Sequence, residues 1–409
     1  MNVLVINCGS SSIKFQLFRM PAGELLIQGK AEKSEMGNTV LRVIKMQLEK
    51  ETSWEGFSWP ANFKNMLDEL VDPQNECIAS LKEIDVVGHR LIHGGEQETD
   101  TGAVEITDEL IARMEQNVPL APLHYPANLK GIRTIKQMLP GVLQAGVFDT
   151  SFHHSLPPKA FLYGIPLEWY NKHHIRRYGF HGTSHKYAVQ RACMHAGVPL
   201  EKSRVISCHL GNGASVAAVK NGLSTDTSMG FTPVEGLLMG TRSGDIDAGV
   251  LLFLLENFNF SVADVQQLLN KQGGLYGLSG VSADYRAVEE AAIGGNNAAR
   301  TALDVYHYRV KKYIGAYAAA LGGLDVLVFT GGIGENSIRA RKEICNEMEF
   351  LGIRISEKLN RQLNSSEAVI SESTSGVKTV IVPANEELTI AQKTAVLAGR
   401  LSDGKQQPF

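Results

Sequence analysis

At 409 residues the chain exceeds what one ordinary core organises, so two domains are expected. Its 40 basic and 43 acidic side chains sum to −3, which argues against a nucleic-acid-binding surface, and its 44% apolar content lies in the range of soluble globular proteins. Five scattered cysteines with no C-x-x-C pair fit a reduced, cytoplasmic chain and suggest neither a disulfide framework nor a zinc site; apolar runs are too short to span a membrane, and the N-terminus reads as a strand rather than a cleavable signal.

Val3-Leu4-Val5-Ile6 predicts a buried strand, and Ile13, Phe15 and Leu17 alternating with Lys14 and Gln16 predict a second. Between them Asn7-Cys8-Gly9-Ser10-Ser11-Ser12 is a hairpin tip rich in hydroxyls and backbone donors. It reads either as an ordinary Ser/Gly turn or as a cradle for phosphate. A strand at Leu25-Leu26-Ile27, another over Thr39 to Met46 and an amphipathic helix carrying Phe63, Met66, Leu67 and Leu70 follow. Ile84 to Val87 predicts a strand that ends at Gly88-His89-Arg90-Leu91-Ile92-His93-Gly94-Gly95, where Arg90 is either a surface ion pair or a donor at a site. Three prolines within residues 118–128 predict a defined loop holding His124. Val142 to Phe148 is a further strand, and Asp149 after it is either a helix cap or a carboxylate at the ligand-binding edge of the sheet.

Arg176 to His185 is dense in Arg, His, aromatic residues and Gly, and predicts a binding loop. The strand Val205 to Cys208, the tip His209-Leu210-Gly211-Asn212-Gly213-Ala214-Ser215 and the strand Val216 to Val219 repeat the opening arrangement, with Gly211 lying 202 residues after Gly9. We read this as a duplicated domain with a phosphate hairpin in each half. A long loop from Asp226 to Asp245 carries Pro233 and Arg242. Helices are expected over 261–271 and 298–321, the second with Leu303, Val310, Ile314, Ala318 and Leu321 on one face, and Gly280 to Arg286 reads as a loop between them. Val326 to Phe329 is a buried strand ended by Thr330-Gly331-Gly332-Ile333-Gly334-Glu335-Asn336. Val380-Ile381-Val382 leads to Asn385-Glu386-Glu387 and a last helix, which Asn385 is placed to cap.

Neither G-x-x-x-x-G-K-[ST] nor G-x-G-x-x-G occurs, and H-E-x-x-H and the nucleophile elbow are also missing from the sequence. What remains is phosphate handling by hairpins, isolated arginines, histidines and a few carboxylates. That set suits phosphoryl transfer, where catalysis is mostly positioning and neutralisation of charge.

These segments together, in this order and over essentially the whole chain, resemble the acetate kinase (acetokinase) family of the acetate and sugar kinase, heat-shock ATPase and actin superfamily. The resemblance is carried by Val5 to Lys14, Gly88-His89-Arg90, Phe148 to His153, Arg177 to His185, His209 to Ser215, Gly240 to Asp245, Gly331 to Ser337 and Asn385-Glu386-Glu387. It implies an α/β chain of two similar, duplicated ribonuclease-H-like domains, each a mixed five-stranded sheet flanked by helices, with an interdomain cleft. The implied boundaries are 1–149 plus 387–409, with the C-terminal helix returning to the first domain, and 150–386, with most of the nucleotide site. The implied reaction is reversible transfer from ATP to acetate, a carboxyl acceptor, giving ADP and acetyl phosphate. Asn7 and Glu386 would help hold Mg2+, with Mn2+ able to substitute. Lys14, with Ser10 and Ser12, would meet the nucleotide phosphates, and His209, Leu210, Gly211, Asn212 and Gly213 would cradle them. Asp284, Tyr285 and Arg286, with Gly332, Ile333, Gly334, Glu335 and Asn336, would hold the adenosine. Arg90 would bind the substrate carboxylate, His181 and Arg242 would stabilise the transferring group, Asp149 would stand at the reaction centre, and His124 would be an accessory donor. Asp149 is expected to position a metal or an arginine rather than move a proton, since acetate is already ionised near neutral pH. A homodimer is also implied.

By the same resemblance the acyl pocket comprises Ile92, Leu123, Phe180 and Pro233. The bulk of Ile92 favours acetate over propionate, a discrimination of about 1–3 kcal/mol per methylene. Tyr125 and Tyr285 depart from the family's usual Asn and Phe. The rival readings are a propionate or other short-chain acid kinase and a non-catalytic, ATP-gated protein of the actin or heat-shock type; the latter leaves Arg90, His181 and Arg242 unexplained together.

Overall fold

The computed structural model describes residues 1–9, 11–34, 37–45, 48–96, 102–118, 124–361 and 367–403. The chain divides into two compact units, Met1–Ser151 with Asn385–Phe409, and Phe152–Ala384.

The first unit is built on β1 (Asn2–Cys8), β2 (Ser12–Arg19), β3 (Glu24–Lys33), β4 (Thr39–Lys45), β5 (Leu48–Trp54), β6 (Val86–Leu91), β7 (Val104–Glu105) and β8 (Leu143–Phe148), in the spatial order β5-β4-β3-β2-β1-β6-β8-β7. The apolar run in β1 is continuous because both of its faces are covered. Leu4 and Ile6 join Phe63, Met66 and Leu70 of the helix Trp59–Val71, while Val3 and Val5 join Ile390 and Ala391 of the C-terminal helix Glu386–Ser402. That helix lies close on β6: a Cβ at Gly88 would stand 2.6 Å from Thr394 Oγ1 and 3.0 Å from Ile390 Cγ2. Gly88 is therefore a packing residue inside a strand, and β6 runs on through His89, Arg90 and Leu91, where the sequence suggested a break.

The second unit contains β9 (Arg204–Leu210), β10 (Ala214–Lys220), β11 (Leu223–Thr227), β12 (Val326–Thr330), β13 (Ala368–Val369) and β14 (Lys378–Ile381), ordered β11-β10-β9-β12-β14-β13. Its core joins Ala188, Val189 and Ala192 of the helix Gly182–Ala196 to Val205, Val326, Val328 and Val380 of the sheet. The long helix Asn297–Leu321 buries Leu303, Tyr306, Val310, Ile314, Ala318 and Leu321, the face its spacing predicts.

Each unit has an antiparallel meander of three strands whose first strand is followed by two parallel neighbours. The orders β3-β2-β1-β6-β8 and β11-β10-β9-β12-β14 correspond strand for strand, with the same directions. This agrees with duplication and with two mixed sheets flanked by helices. The expectation of five strands per sheet holds for that shared core alone. Among the described residues the sheets have eight and six strands, because β4, β5 and β7 extend the first and β13 the second. Strand β5 escaped the sequence reading because Leu48-Glu49-Lys50-Glu51-Thr52-Ser53 is exposed throughout and has no apolar period.

Three segments read as loops turn into helices at their ends. Pro126 falls in the first turn of the helix Tyr125–Met138, where proline costs no hydrogen bond. Gly182 opens the helix Gly182–Ala196, and Tyr285 opens the helix Tyr285–Ile293, capped by Asp284, whose side chain accepts from the backbone N–H of Arg286 and Ala287. At the last helix the expected cap is not made: the Asn385 side chain forms no capping hydrogen bond.

Candidate functional site

In the first unit, strand register gathers the singled-out residues at one edge of the sheet. Asn7 near the end of β1 is paired with Lys14 on β2 and with Arg90 on β6. Leu91 is paired with Phe148, so Asp149 leaves β8 beside Arg90, its own N–H donating to the Leu91 carbonyl at 2.8 Å. The Arg90 guanidinium forks onto Asp149, Nε to Oδ1 at 3.0 Å and Nη2 to Oδ2 at 2.7 Å, and Nη1 lies 3.3 Å from Oε2 of Glu386. Asp149 is thus neither a helix cap nor a solvated acid. It is 1% exposed and bound bidentately to a cation. Burial works against the Arg90 charge, but Asp149 and then Glu386 outweigh it and hold the guanidinium above its ordinary range. Burial pushes the Glu386 carboxyl up; Arg90 opposes that, and the Asp149 charge adds to it.

Lys14 is exposed, Ser12 half-buried, and Ser10 and Leu123 lie outside the described residues. His124 is half-buried at the start of the helix Tyr125–Met138, its carbonyl accepting from the N–H of Ala127 and Asn128 at 3.1 Å. Tyr125 is buried and donates its hydroxyl to the His93 carbonyl at 2.5 Å. Ile92 packs at the rim of the cluster of Leu91, Tyr125, Leu129 and Phe148. Asn128 was missed. Its amide accepts from Ile92 N–H at 3.2 Å and donates to the carbonyls of Cys8 at 3.3 Å and Arg90 at 3.4 Å, bracing the ends of β1 and β6. The available signal was a polar residue on the inward face of an amphipathic helix.

In the second unit the tip Gly211-Asn212-Gly213 closes β9 onto β10, with Gly211 N–H donating to the Gly213 carbonyl at 3.1 Å. A Cβ at Gly213 would lie 3.4 Å from Cε1 and Nε2 of His181 and 3.8 Å from Nη1 of Arg242. The tip, a histidine and an arginine therefore meet at one point. His181 holds the left-handed conformation at φ 57°, a strained choice for a residue with a side chain. Its ring stacks on His209 with centroids 4.3 Å apart, and His209 Nδ1 bonds the Ser184 hydroxyl at 2.8 Å. Arg242 donates through Nη1 to the Pro233 carbonyl at 2.9 Å. The loop bearing both is braced by Arg177, whose Nη1 donates to the carbonyls of Thr227 (2.9 Å), Ser228 (3.1 Å) and Met229 (3.3 Å) and whose Nη2 meets Glu235 at 2.5 Å. Phe180 is buried and its carbonyl is bonded to His153 Nε2 at 3.0 Å.

Beside the tip is a cavity of about 980 Å³ lined by residues that include Gly211, Asn212, Asp284, Tyr285, Arg286, Gly332, Ile333 and Asn336. The sequence also named Gly334 and Glu335, and neither lines it. Gly334 is buried against Phe329, and Glu335 turns away to accept from Ala384 N–H at 2.9 Å. Ser282, Ala283, Glu289, Glu290, Ile293 and Ser337 line it and were missed; they come from the start and one side of the helix Tyr285–Ile293 and from the cap of the helix Ile338–Cys345, and share no local motif. Tyr285 donates to, or accepts from, His307 Nε2 at 2.8 Å, a partner that a phenylalanine would not satisfy.

A model of the acetokinase family matches residues 2–392. An acetate kinase of Porphyromonas gingivalis is 49% identical over 402 residues, covering 97% of this chain and 100% of the relative, and one of Thermotoga petrophila is 49% identical over 407 residues, covering 98% and 100%. The crystal structure of a Porphyromonas gingivalis acetate kinase superposes with a TM-score of 0.91 at 48% identity, over 97% of this chain and 99% of that one. A propionate kinase from Francisella tularensis superposes with a TM-score of 0.89 at 39% identity, again over 97% and 99%.

Proposed function

This chain belongs to the acetokinase family, and we propose that it transfers the γ-phosphoryl group of ATP directly, in line, to acetate, reversibly giving acetyl phosphate and ADP. It is a kinase with a carboxyl group as acceptor. The observation that carries the reading is the meeting of an imidazole, His181, and a guanidinium, Arg242, at the Gly213 tip, where anionic oxygens would gather. The tip would cradle phosphates and the adjoining cavity would take the adenosine, with Gly332 offering an open face where a base can lie flat.

Two anions repel until positive groups intervene. Arg90 would receive the acetate carboxylate on donors left over from its fork onto Asp149, and Asp149 would set the plane of that fork. Asp149 is therefore a positioning group, consistent with a substrate that has no proton to lose. Asn7 and Glu386 offer hard oxygen donors that fit Mg2+, with Mn2+ able to substitute. No group of three or more His, Cys, Asp or Glu is gathered for an ion among the described residues, so the ion would draw most ligands from phosphate oxygens and water. When bound, it supplies neutralisation of the phosphate charge.

A homodimer is proposed on the helix Ala248–Asn257, none of whose residues is buried although it is largely apolar: Val250, Leu252 and Phe253 are 41%, 58% and 55% exposed. Light scattering of Phe253→Asp at micromolar concentration should show the monomer; an unchanged mass would move the contact elsewhere. A cytoplasmic location is proposed on the five free, buried cysteines. The test of the function is ADP formation followed with and without acetate. Turnover that requires acetate and is lost in Arg242→Ala is expected; acid-independent hydrolysis would favour an ATP-gated switch.

A further inference from the structure

Behind His181 runs a buried chain of alternating hydroxyls and imidazoles. Ser215 Oγ lies 3.0 Å from His181 Nδ1 and 2.8 Å from His185 Nε2, and His185 Nδ1 lies 3.0 Å from Ser207 Oγ. Ser207, His185 and Ser215 are each 0% exposed. Burial, then the neighbouring His153 and His209, hold His185 well below the ordinary histidine range, so it is neutral and carries one ring proton. Each serine has one proton as well.

Donation along such a chain runs in one direction or the other. If Ser207 donates to His185 Nδ1, His185 Nε2–H donates to Ser215 and the Ser215 proton goes to His181 Nδ1. His181 then carries its own proton on Nε2. For a neutral His181 ring, the reverse order leaves a lone pair on His181 Nε2. That nitrogen is the one at the Gly213 tip, beside Arg242, with His209 stacked on the ring. A transferring phosphoryl group there is anionic and selects N–H over a lone pair.

We propose that Ser215, backed by His185 and Ser207, is a positioning residue that donates to His181 Nδ1 and so fixes the Nε2–H tautomer facing the transferring phosphoryl group. This rests on the reading that His181 faces that group. The strained backbone of His181 fits the same purpose, since the ring must reach the tip and the serine at once.

The test uses the full-length enzyme with Ser215→Ala, Ser215→Thr, Ser207→Ala and His181→Ala. Steady-state kinetics are combined with nitrogen-15 NMR of labelled histidines. Ser215→Ala should lower kcat about 10- to 100-fold with KM for ATP and acetate little changed, and Ser215→Thr, which keeps the hydroxyl, should restore most of it. The His181 signal should be that of the Nε2–H tautomer in the unaltered enzyme and a mixture in Ser215→Ala. Ser207→Ala, at the far end, should shift both readouts the same way and by less; it serves if Ser215→Ala does not fold. A His181 tautomer unchanged in the serine variants, with His181→Ala impaired, overturns the inference alone. Full activity in His181→Ala overturns the reading it rests on.

Discussion

The role proposed for Asp149 is to position Arg90 rather than to transfer a proton. Its two oxygens accept from Nε and Nη2 of Arg90 while it is almost wholly buried, so replacing it with an amide removes a charge and one acceptor together. Breaking such a pair by altering one partner costs about 3–5 kcal/mol of folding stability, and here it also releases the Arg90 fork that would face the substrate. Asp149→Asn should therefore lower kcat/KM for acetate by at least about a hundredfold and change the Mg2+ dependence, as read from rates over a metal titration. Near-normal activity with normal Mg2+ dependence would remove Asp149 from the site. The role proposed for Ile92 in the acyl pocket rests on its volume alone. Ile92→Ala should raise the propionate-to-acetate ratio of kcat/KM by roughly 10-fold, within the range that methylene-sized differences allow. An unchanged ratio would mean that Ile92 does not set the floor of the acyl pocket.

At the scale of elements, Gly88 decides how closely the C-terminal helix approaches β6. Gly88→Ala pushes a methyl group into Thr394 Oγ1 and should cost about 1–3 kcal/mol of stability, seen as a lower thermal midpoint. Thr394 Oγ1 is buried without a hydrogen-bond partner among the described residues, so Thr394→Ala added to Gly88→Ala should recover much of the loss. No recovery would place the clash elsewhere. This glycine also shows where sequence reading stops. A glycine beside His and Arg looks like a strand end, and only the helix that returns from residues 386–402 explains it as an interior position. Elements with a clear period or a continuous apolar run were legible: β1, β2, β8, β12 and the face of the helix Asn297–Leu321. The helix Ala248–Asn257 was not, because Val250-Leu251-Leu252-Phe253-Leu254-Leu255 is apolar all round and shows no face. Among site residues, Arg90, His181 and Arg242 stood out as charged or aromatic groups among glycines. Asn128, Arg177 and Ser215 did not, because their importance lies in what they hold: carbonyls, a loop and a ring nitrogen from distant parts of the sequence.

At the scale of the whole molecule, buried histidines tie stability to pH. Burial lowers His89, His93 and His307 to about 4, and holds His185 well below 6.5. Each is neutral when folded and takes a proton more readily when unfolded. The stability they contribute is complete above the unfolded value and is lost as pH falls from about 6.5 toward about 4, by up to about 1.4 kcal/mol per pH unit for each. The Asp226, Glu335 and Glu386 carboxyls, each raised first by burial, oppose this by taking protons sooner in the folded state. With the histidines titrating nearer neutrality, the urea midpoint should fall between about pH 7 and about pH 5.5; a flat or rising midpoint would mean that these rings meet solvent.

The roles proposed for Arg90 and Ile92 both depend on a carboxylate accepting the phosphoryl group. Incubating the enzyme with ATP, Mg2+ and hydroxylamine traps any acyl phosphate as a hydroxamate, and acetate, propionate, butyrate and no acid can be compared side by side. Acetate should give the most hydroxamate, propionate less, and the acid-free reaction none, with ADP formed in step. ATP consumed equally in every arm without hydroxamate would contradict phosphoryl transfer to a carboxylate and, with it, the roles given to Arg90 and Ile92.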